Sequence, residues 1–231
     1  MTISDLIGKY PYPRKVRHHV SANLYIPIKN LKYIPLYYPP LIEQNTVFNS
    51  FENKKNPTII DIGCGKSRFL LEFALAYPQE NILGLELRKS LVEWIQNVIR
   101  SEHIPNAWVY WYSAVNGLDF IQENTINSLF YLFPDPWPKQ KQQRRRLFSI
   151  EFLKDIHRIL NPQGYLYLAT DCDYVDEYHR KILNQSGLFS FCEPSLQDWS
   201  FPKTNKELFC IEKQIKIFRL KCKPLDKIIT K

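Results

Sequence analysis

Residues 130–146, FYLFPDPWPKQKQQRRR, constrain the fold of this chain more than any other stretch. Asn127–Phe133 (NSLFYLF) is short, apolar and aromatic, the composition of a buried strand. Pro134, Pro136 and Pro138 then forbid a regular ladder or helix, because proline lacks an N–H, fixes its own φ and restricts the residue before it. Asp135, between two of them, is held on a stiff loop at a strand's carboxyl end, and in open α/β sheets that edge is where ligands bind. Trp137, Lys139, Lys141, Arg144, Arg145 and Arg146 follow. A fixed acid, an aromatic and a run of cations suit a cationic or electrophilic small molecule meeting a polyanion. The same letters also fit a proline-rich turn and the start of a solvated basic helix, and the rest of the chain decides between the two.

From Pro57 onward, strand-like and helix-like runs alternate. Strands are expected at Thr58–Ile62, Ile82–Leu87, Trp108–Tyr112, Asn127–Phe133 and Tyr165–Thr170. Helices are expected at Phe69–Tyr77, Ser90–Ile99, Val115–Ile121, Arg145–Leu160 and Val175–Leu183, the last stopped by Ser186-Gly187. Phe148, Phe152, Ile156 and Ile159 would share one face of the fourth helix, and Asn161-Pro-Gln-Gly164 reads as a turn. Such alternation means a mainly parallel sheet with helices on both faces. Leu208–Lys223 reads as two extended runs forming an antiparallel edge. Before Pro57, prolines at 11, 13, 27, 35, 39 and 40 break any long helix. The expected organisation is an irregular arm over 1–56, one globular domain over 57–223 and a basic tail over 224–231. Within the arm, VRHHV (Val16–Val20) offers cations to RNA phosphate, although packing on the domain is the plainer reading.

Thirty-one Lys and Arg against 23 Asp and Glu give a net charge of +8, which favours an acidic partner such as nucleic acid. The five cysteines are widely spaced with no CxxC pair, so neither a disulfide framework nor a zinc site is indicated, and a reducing cytoplasm is expected. No apolar run is long enough to span a bilayer. His, Cys and acids are nowhere gathered at metal-ligand spacing, so no metal is expected. His157 and His179 fall in helical stretches as surface or packing residues.

The first strand runs into Asp61-Ile-Gly63-Cys-Gly65-Lys-Ser67 and a helix. Two glycines let the backbone turn tightly and approach a ligand at a helix N-terminus. Glu86 ends the second strand, where an acid hydrogen-bonds a ribose in dinucleotide-type folds. Arg68 stands where that fingerprint has its third glycine, so the pocket suits a nucleoside without pyrophosphate. S-adenosylmethionine is the candidate, with its ribose on Glu86, its amino-acid moiety near Asp61 and Gly63, and its sulfonium within reach of the Asp135 charge.

DIGCGKSRFLLEFA, LGLEL, FPDPWPKQKQQRRR, YLATD and the late Pro202-Lys-Thr204-Asn-Lys-Glu207 occur in this order from about Val16 to Lys221. Together they resemble the bacterial tRNA (guanine-N7)-methyltransferase family. The resemblance implies the class I methyltransferase fold, a Rossmann-like three-layer α/β sandwich whose mostly parallel seven-stranded sheet has an antiparallel last strand. It implies methyl transfer from S-adenosylmethionine to guanine N7 in the tRNA variable loop (position 46 in tRNA convention), with tRNA the partner; no obligate protein partner is evident in the sequence, which leaves monomer or homodimer open. Carried over by position, cofactor acids fall on Asp61, Glu86 and Asp135, beside Gly63 and Gly65, and RNA-substrate residues on Lys139, Asp171, Thr204 and Glu207. The chain departs from the family at Ser67, often glycine; at Ser113, expected as Asp or Asn near the adenine; and at Phe201, where the family has Arg.

Guanine N7 carries an in-plane lone pair, so methyl transfer depends on positioning and needs no strong base. Asp135 would orient the base and favour positive charge on the ring. Three consecutive arginines on a helix fan apart and cannot share one phosphate. Lys141 and Arg145 share a face if the helix begins early, which makes them the expected RNA contacts. Trp137 either stacks on a base or plugs the loop. Two other functions stay open: methylation of an exocyclic amine, since Asp135-Pro-Trp137 faintly resembles a D-P-P-Y loop, and a non-catalytic RNA-binding homologue.

Overall fold

The structure is a computed structural model that describes residues 3–13, 16 and 20–225. Arg17–His19 of the VRHHV segment, the side chain of Lys141, and residues 226–231 of the expected tail lie outside the described residues.

The elements in chain order are α1 (Ile3–Lys9), β1 (Ile59–Ile62), α2 (Arg68–Ala76), β2 (Ile82–Glu86), α3 (Lys89–Ser101), β3 (Ala107–Trp111), β4 (Ile126–Leu132), α4 (Ile150–Ile159), β5 (Leu160–Thr170), α5 (Asp173–Ser186), β6 (Phe189–Cys192), α6 (Asn205–Glu212) and β7 (Phe218–Pro224). The seven strands form one sheet in the order β3-β2-β1-β4-β5-β7-β6. β1 to β5 are mutually parallel, and β7 runs antiparallel to both β5 and β6. This is the sheet expected from the resemblance.

The period-2 pleat divides each inner strand between two cores. Ile60, Ile62, Leu83, Leu85, Leu129 and Tyr131 face a core closed by Phe152, Leu153, Ile156 and Leu183 of α4 and α5. Ile59, Ile82, Val109 and Phe130 face the other, closed by Leu6, Leu70, Leu71, Leu91 and Ile95 of α1, α2 and α3. Helix α2 lies so close to β2 that a Cβ on Gly84 would stand 2.5 Å from Leu70 Cδ1. Strand order reverses between β1 and β4, so the crevice where ligands bind opens above their carboxyl ends, at Asp61 and Leu132–Asp135.

Several expectations are corrected. The basic stretch is not the start of the fourth helix: Gln140–Arg145 form a 3₁₀ turn, and α4 begins only at Ile150. Ser149, extended, sets that start by accepting a hydrogen bond from the Phe152 N–H at 3.2 Å. Lys141 and Arg145 are therefore not stacked on one α-helical face. The helix expected at Val115–Ile121 is a single 3₁₀ turn, Ala114–Asn116, ended by Gly117 at φ +87°. Leu208–Lys223 is not two strands but most of α6 followed by β7, and the remaining edge strand, β6, lies earlier. The Asn161–Gly164 turn sits inside β5, where pairing jumps from Ile126↔Leu160 to Ser128↔Tyr165. The arm holds a short helix, α1, which buries Ile3 and Leu6. Among the described residues no helix is long and apolar enough to cross a membrane.

Candidate active site

Two cavities meet at the crevice. The first is lined by Tyr25, Glu86, Ser113, Asp135 and Arg145, the second by Asp61, Gly65, Ser67, Thr204 and Lys206. Gly63, Arg88, Leu132 and Phe133 border both, so together they form one trough across the ends of β1, β2 and β4.

At its floor the β1–α2 turn brings backbone rather than side chains to the trough. Gly63 and Gly65 have φ of +75° and +59°, and the Gly63 N–H donates to the Leu85 carbonyl at 2.8 Å. Ser67 also lies in the left-handed region, at φ +53°, which is the physical reason a glycine suits this position. Glu86, 4% exposed, accepts four hydrogen bonds: from the Gly65 N–H, the Arg88 N–H, Arg88 Nε and Arg88 Nη2, at 2.8–3.1 Å. That fills the lone-pair sites of a carboxylate. Asp61 is buried, and burial together with the neighbouring Glu86 charge pushes it up to about 8. Ser113, also buried, donates through Oγ to the Leu24 carbonyl at 2.6 Å. Its hydroxyl therefore holds the arm as well as lining the cavity.

The proline loop turns twice. Phe133 and Trp137 have φ of +51° and +43°, and bracket Pro134-Asp135-Pro136. Left-handed backbone at non-glycine residues costs on the order of 1–3 kcal/mol each and persists where surrounding contacts enforce it. Arg146 Nη2 supplies such contacts, donating to the carbonyls of Pro136 at 3.1 Å and Trp137 at 3.3 Å, with its guanidinium over the Tyr178 ring. Trp137 is buried, edge-on to Tyr25 and beneath the Arg145 guanidinium, so it plugs the loop. The three arginines do fan apart. Arg144 is exposed, Arg145 lies on Trp137, and Arg146 staples the loop. Asp135, at the mouth, and Lys139 are exposed.

The opposite wall comes from α6. Thr204 caps it by accepting from the Glu207 N–H at 2.9 Å, one half of a capping box. The other half is diverted, since Glu207 is buried and pairs with Arg219 at 2.6 Å. Asp171, just past β5, pairs with Lys206 at 2.7 Å. Thr204 thus lines the trough, Asp171 reaches it through Lys206, and Glu207 is turned toward β7. Phe201 packs edge-on to Phe130 and Tyr167, which makes it a core residue where the family has a cation.

Sequence reasoning missed Arg88 and the arm residues Leu24 and Tyr25, and counted Arg146 in the basic run without its role in holding the loop. Arg88 had a local signal, a cation two residues past the strand-ending acid. Tyr25 had none, because Asp135 is 110 residues away. His179 is buried against Phe148, as expected of a packing residue, and burial holds it down to about 3.

The donor set fits a nucleoside carrying a positive charge. It has a ribose-type acid, a glycine cradle with room above it, and two further acids along one trough.

Residues 55–223 match a family described as a putative methyltransferase. A tRNA (guanine-N(7)-)-methyltransferase of Buchnera aphidicola subsp. Baizongia pistaciae is 33% identical over 180 residues, covering 74% of this chain and 72% of the relative. One from Pseudomonas putida W619 is 31% identical over 151 residues, or 65% of this chain, and the match spans 63% of that relative's length. Among solved structures, the 16S rRNA methyltransferase KamB superposes with a TM-score of 0.58 at 14% identity, covering 81% of this chain and 96% of its own. A SAM-dependent methyltransferase from Aquifex aeolicus gives 0.51 at 14% identity, covering 77% and 86%. At these identities both show a shared fold.

Proposed function

This chain belongs to the tRNA (guanine-N7)-methyltransferase family, and from that premise we propose that it methylates N7 of a variable-loop guanine in tRNA, in the cytoplasm, with S-adenosylmethionine as donor. What carries the proposal is the placement of Asp135, an acid whose backbone is fixed between prolines at the trough's mouth, where Arg145 lines the same cavity. S-adenosylmethionine supplies an electrophilic methyl on a cationic sulfonium. Glu86 takes the ribose hydroxyls, which replace the Arg88 guanidinium on its oxygens. Asp61 and the Gly63–Gly65 backbone hold the amino-acid end.

The chain itself has little covalent work to do. N7 has no proton to lose in the neutral base, so no general base is needed, and the gain comes from orientation and from charge near the ring. Asp135 orients the guanine and stabilises the positive charge that develops on it. Arg145, Lys139 and Lys141 meet phosphate, while Thr204 and the Asp171–Lys206 pair form the wall of the trough that faces the incoming RNA across Phe133.

Substituting Asp135→Ala tests this assignment. Because Asp135 is exposed, the variant should keep its thermal midpoint while losing methyl transfer by about a hundredfold or more. Turnover within a few-fold of the parent would remove Asp135 from its role.

A further inference from the structure

We propose that Tyr25, on the N-terminal arm, is a positioning residue of this site: its hydroxyl holds the Asp135 carboxylate and its ring completes the cavity wall beside Trp137. This rests on the assignment of Asp135 to the base. Tyr25 Oη donates to Asp135 Oδ2 at 3.1 Å, and its ring meets Trp137 edge-on with centroids 5.1 Å apart. The flanking prolines fix the backbone of Asp135 but leave its side-chain torsions free. An exposed carboxylate with free torsions is a poor template for a reaction that depends on placement within a fraction of an ångström. Tyr25 supplies the missing constraint.

The arm is built to deliver it. Ser113 Oγ donates to the Leu24 carbonyl at 2.6 Å, and the Ile28 N–H donates to Asn116 Oδ1 at 2.7 Å. The Tyr38 hydroxyl lies 2.7 Å from the Ile26 carbonyl and 3.2 Å from Asn116 Oδ1. Leu24 and Tyr38 are buried. The arm is thus anchored on the turn after β3, on both sides of Tyr25, and the phenol projects across the cavity onto the loop after β4. Burial first, and the Asp135 charge second, push the phenol well above the ordinary tyrosine range, with Glu86 and Arg88 also facing it. Tyr25 accordingly keeps its proton and remains a donor at physiological pH.

The test is a double-mutant cycle on methyl transfer to tRNA, read under single-turnover conditions. Tyr25→Phe keeps the ring and removes the donor. Loss of one hydrogen bond to a charged group should lower the rate about tenfold, with affinities for S-adenosylmethionine and tRNA and the thermal midpoint unchanged. In the Asp135→Ala background, which leaves the phenol no side-chain acceptor at this position, the same change should cost nothing further, because Tyr25 acts through Asp135. Additive losses, an unchanged Tyr25→Phe rate, or a loss that tracks a lowered thermal midpoint would each overturn the proposal. The contact is also readable without turnover, by the NMR shifts of the Tyr25 ring at neutral pH, assigned through Tyr25→Phe. Asp135→Ala should shift those resonances, and no shift would overturn the proposal even in a chain that transfers no methyl group. Absence of transfer by the parent chain would instead count against the proposed function.

Discussion

Asp61 and Glu86 lie at the carboxyl ends of adjacent parallel strands, and their surroundings differ. Glu86 has Arg88 on both oxygens, whereas Asp61 is pushed from an ordinary 3.8 up to about 8. The folded chain therefore keeps a proton on Asp61 that the unfolded chain gives up. Between those two values the folded state binds more protons, so this residue's contribution to stability declines as pH rises through that window. A cofactor with a cationic ammonium beside Asp61 reverses the preference by favouring the ionised form. S-adenosylmethionine affinity should accordingly rise as pH increases toward 8, with release of a proton on binding. Calorimetry in two buffers of different ionisation enthalpy reads that proton, and Asp61→Asn should abolish it. A pH-independent affinity with no proton released would show that Asp61 does not hold the cofactor's cation. Residues of this kind were legible in the sequence because a strand's end is a local property. Tyr25 and the Arg88 guanidinium were not foreseen, the first because its partner is remote and the second because a cation beside an acid reads as ordinary surface charge.

At the scale of elements, the proline loop and the basic run act as one unit whose parts differ in role. Trp137 plugs the loop, Arg145 covers Trp137, and Arg146 ties the carbonyls of residues 136 and 137 to Tyr178. Arg146→Ala should loosen the loop that carries Asp135. We expect kcat to fall about tenfold, the effect of losing a charge-assisted hydrogen bond, with tRNA affinity little changed. Arg146→Lys should not rescue, since an ammonium lacks the planar fork that bonds and stacks at once. Kinetics and tRNA titration across a salt series separate the outcomes. A lost tRNA affinity with a shallower salt slope would make Arg146 a phosphate contact instead. The loop itself was legible from its three prolines, but the 3₁₀ turn that follows was not, because a run of Lys, Gln and Arg has good helix propensity and only Ser149 marks the true start of α4. The misreading of α6 had a different cause. Leu208, Phe209, Ile211 and Ile215 are exposed, so their spacing carried no core-facing helical stripe, and the signal lay in the Thr204–Glu207 cap instead.

Across the whole molecule, the alternation of strand and helix from Pro57 was enough to specify a parallel sheet with helices on both faces. An antiparallel edge was read in Leu208–Lys223, and the resemblance made the last strand of the sheet antiparallel, although nothing in Phe218–Pro224 itself dictates its direction. The arm was the least legible part. Its prolines indicate irregular chain, yet its value lies in long-range bonds to the turn after β3 and to Asp135 that no local pattern encodes. Fold, trough and a net charge of +8 are what the proposed transfer of an electrophilic methyl to an RNA base requires. The most direct test is transfer of label from S-adenosylmethionine to unmodified tRNA transcripts, followed by mapping of the modified base. We predict label on a variable-loop guanine, released by cleavage specific to N7-methylguanosine. Label on an exocyclic amine, or none despite measurable binding of both S-adenosylmethionine and tRNA, would contradict the account.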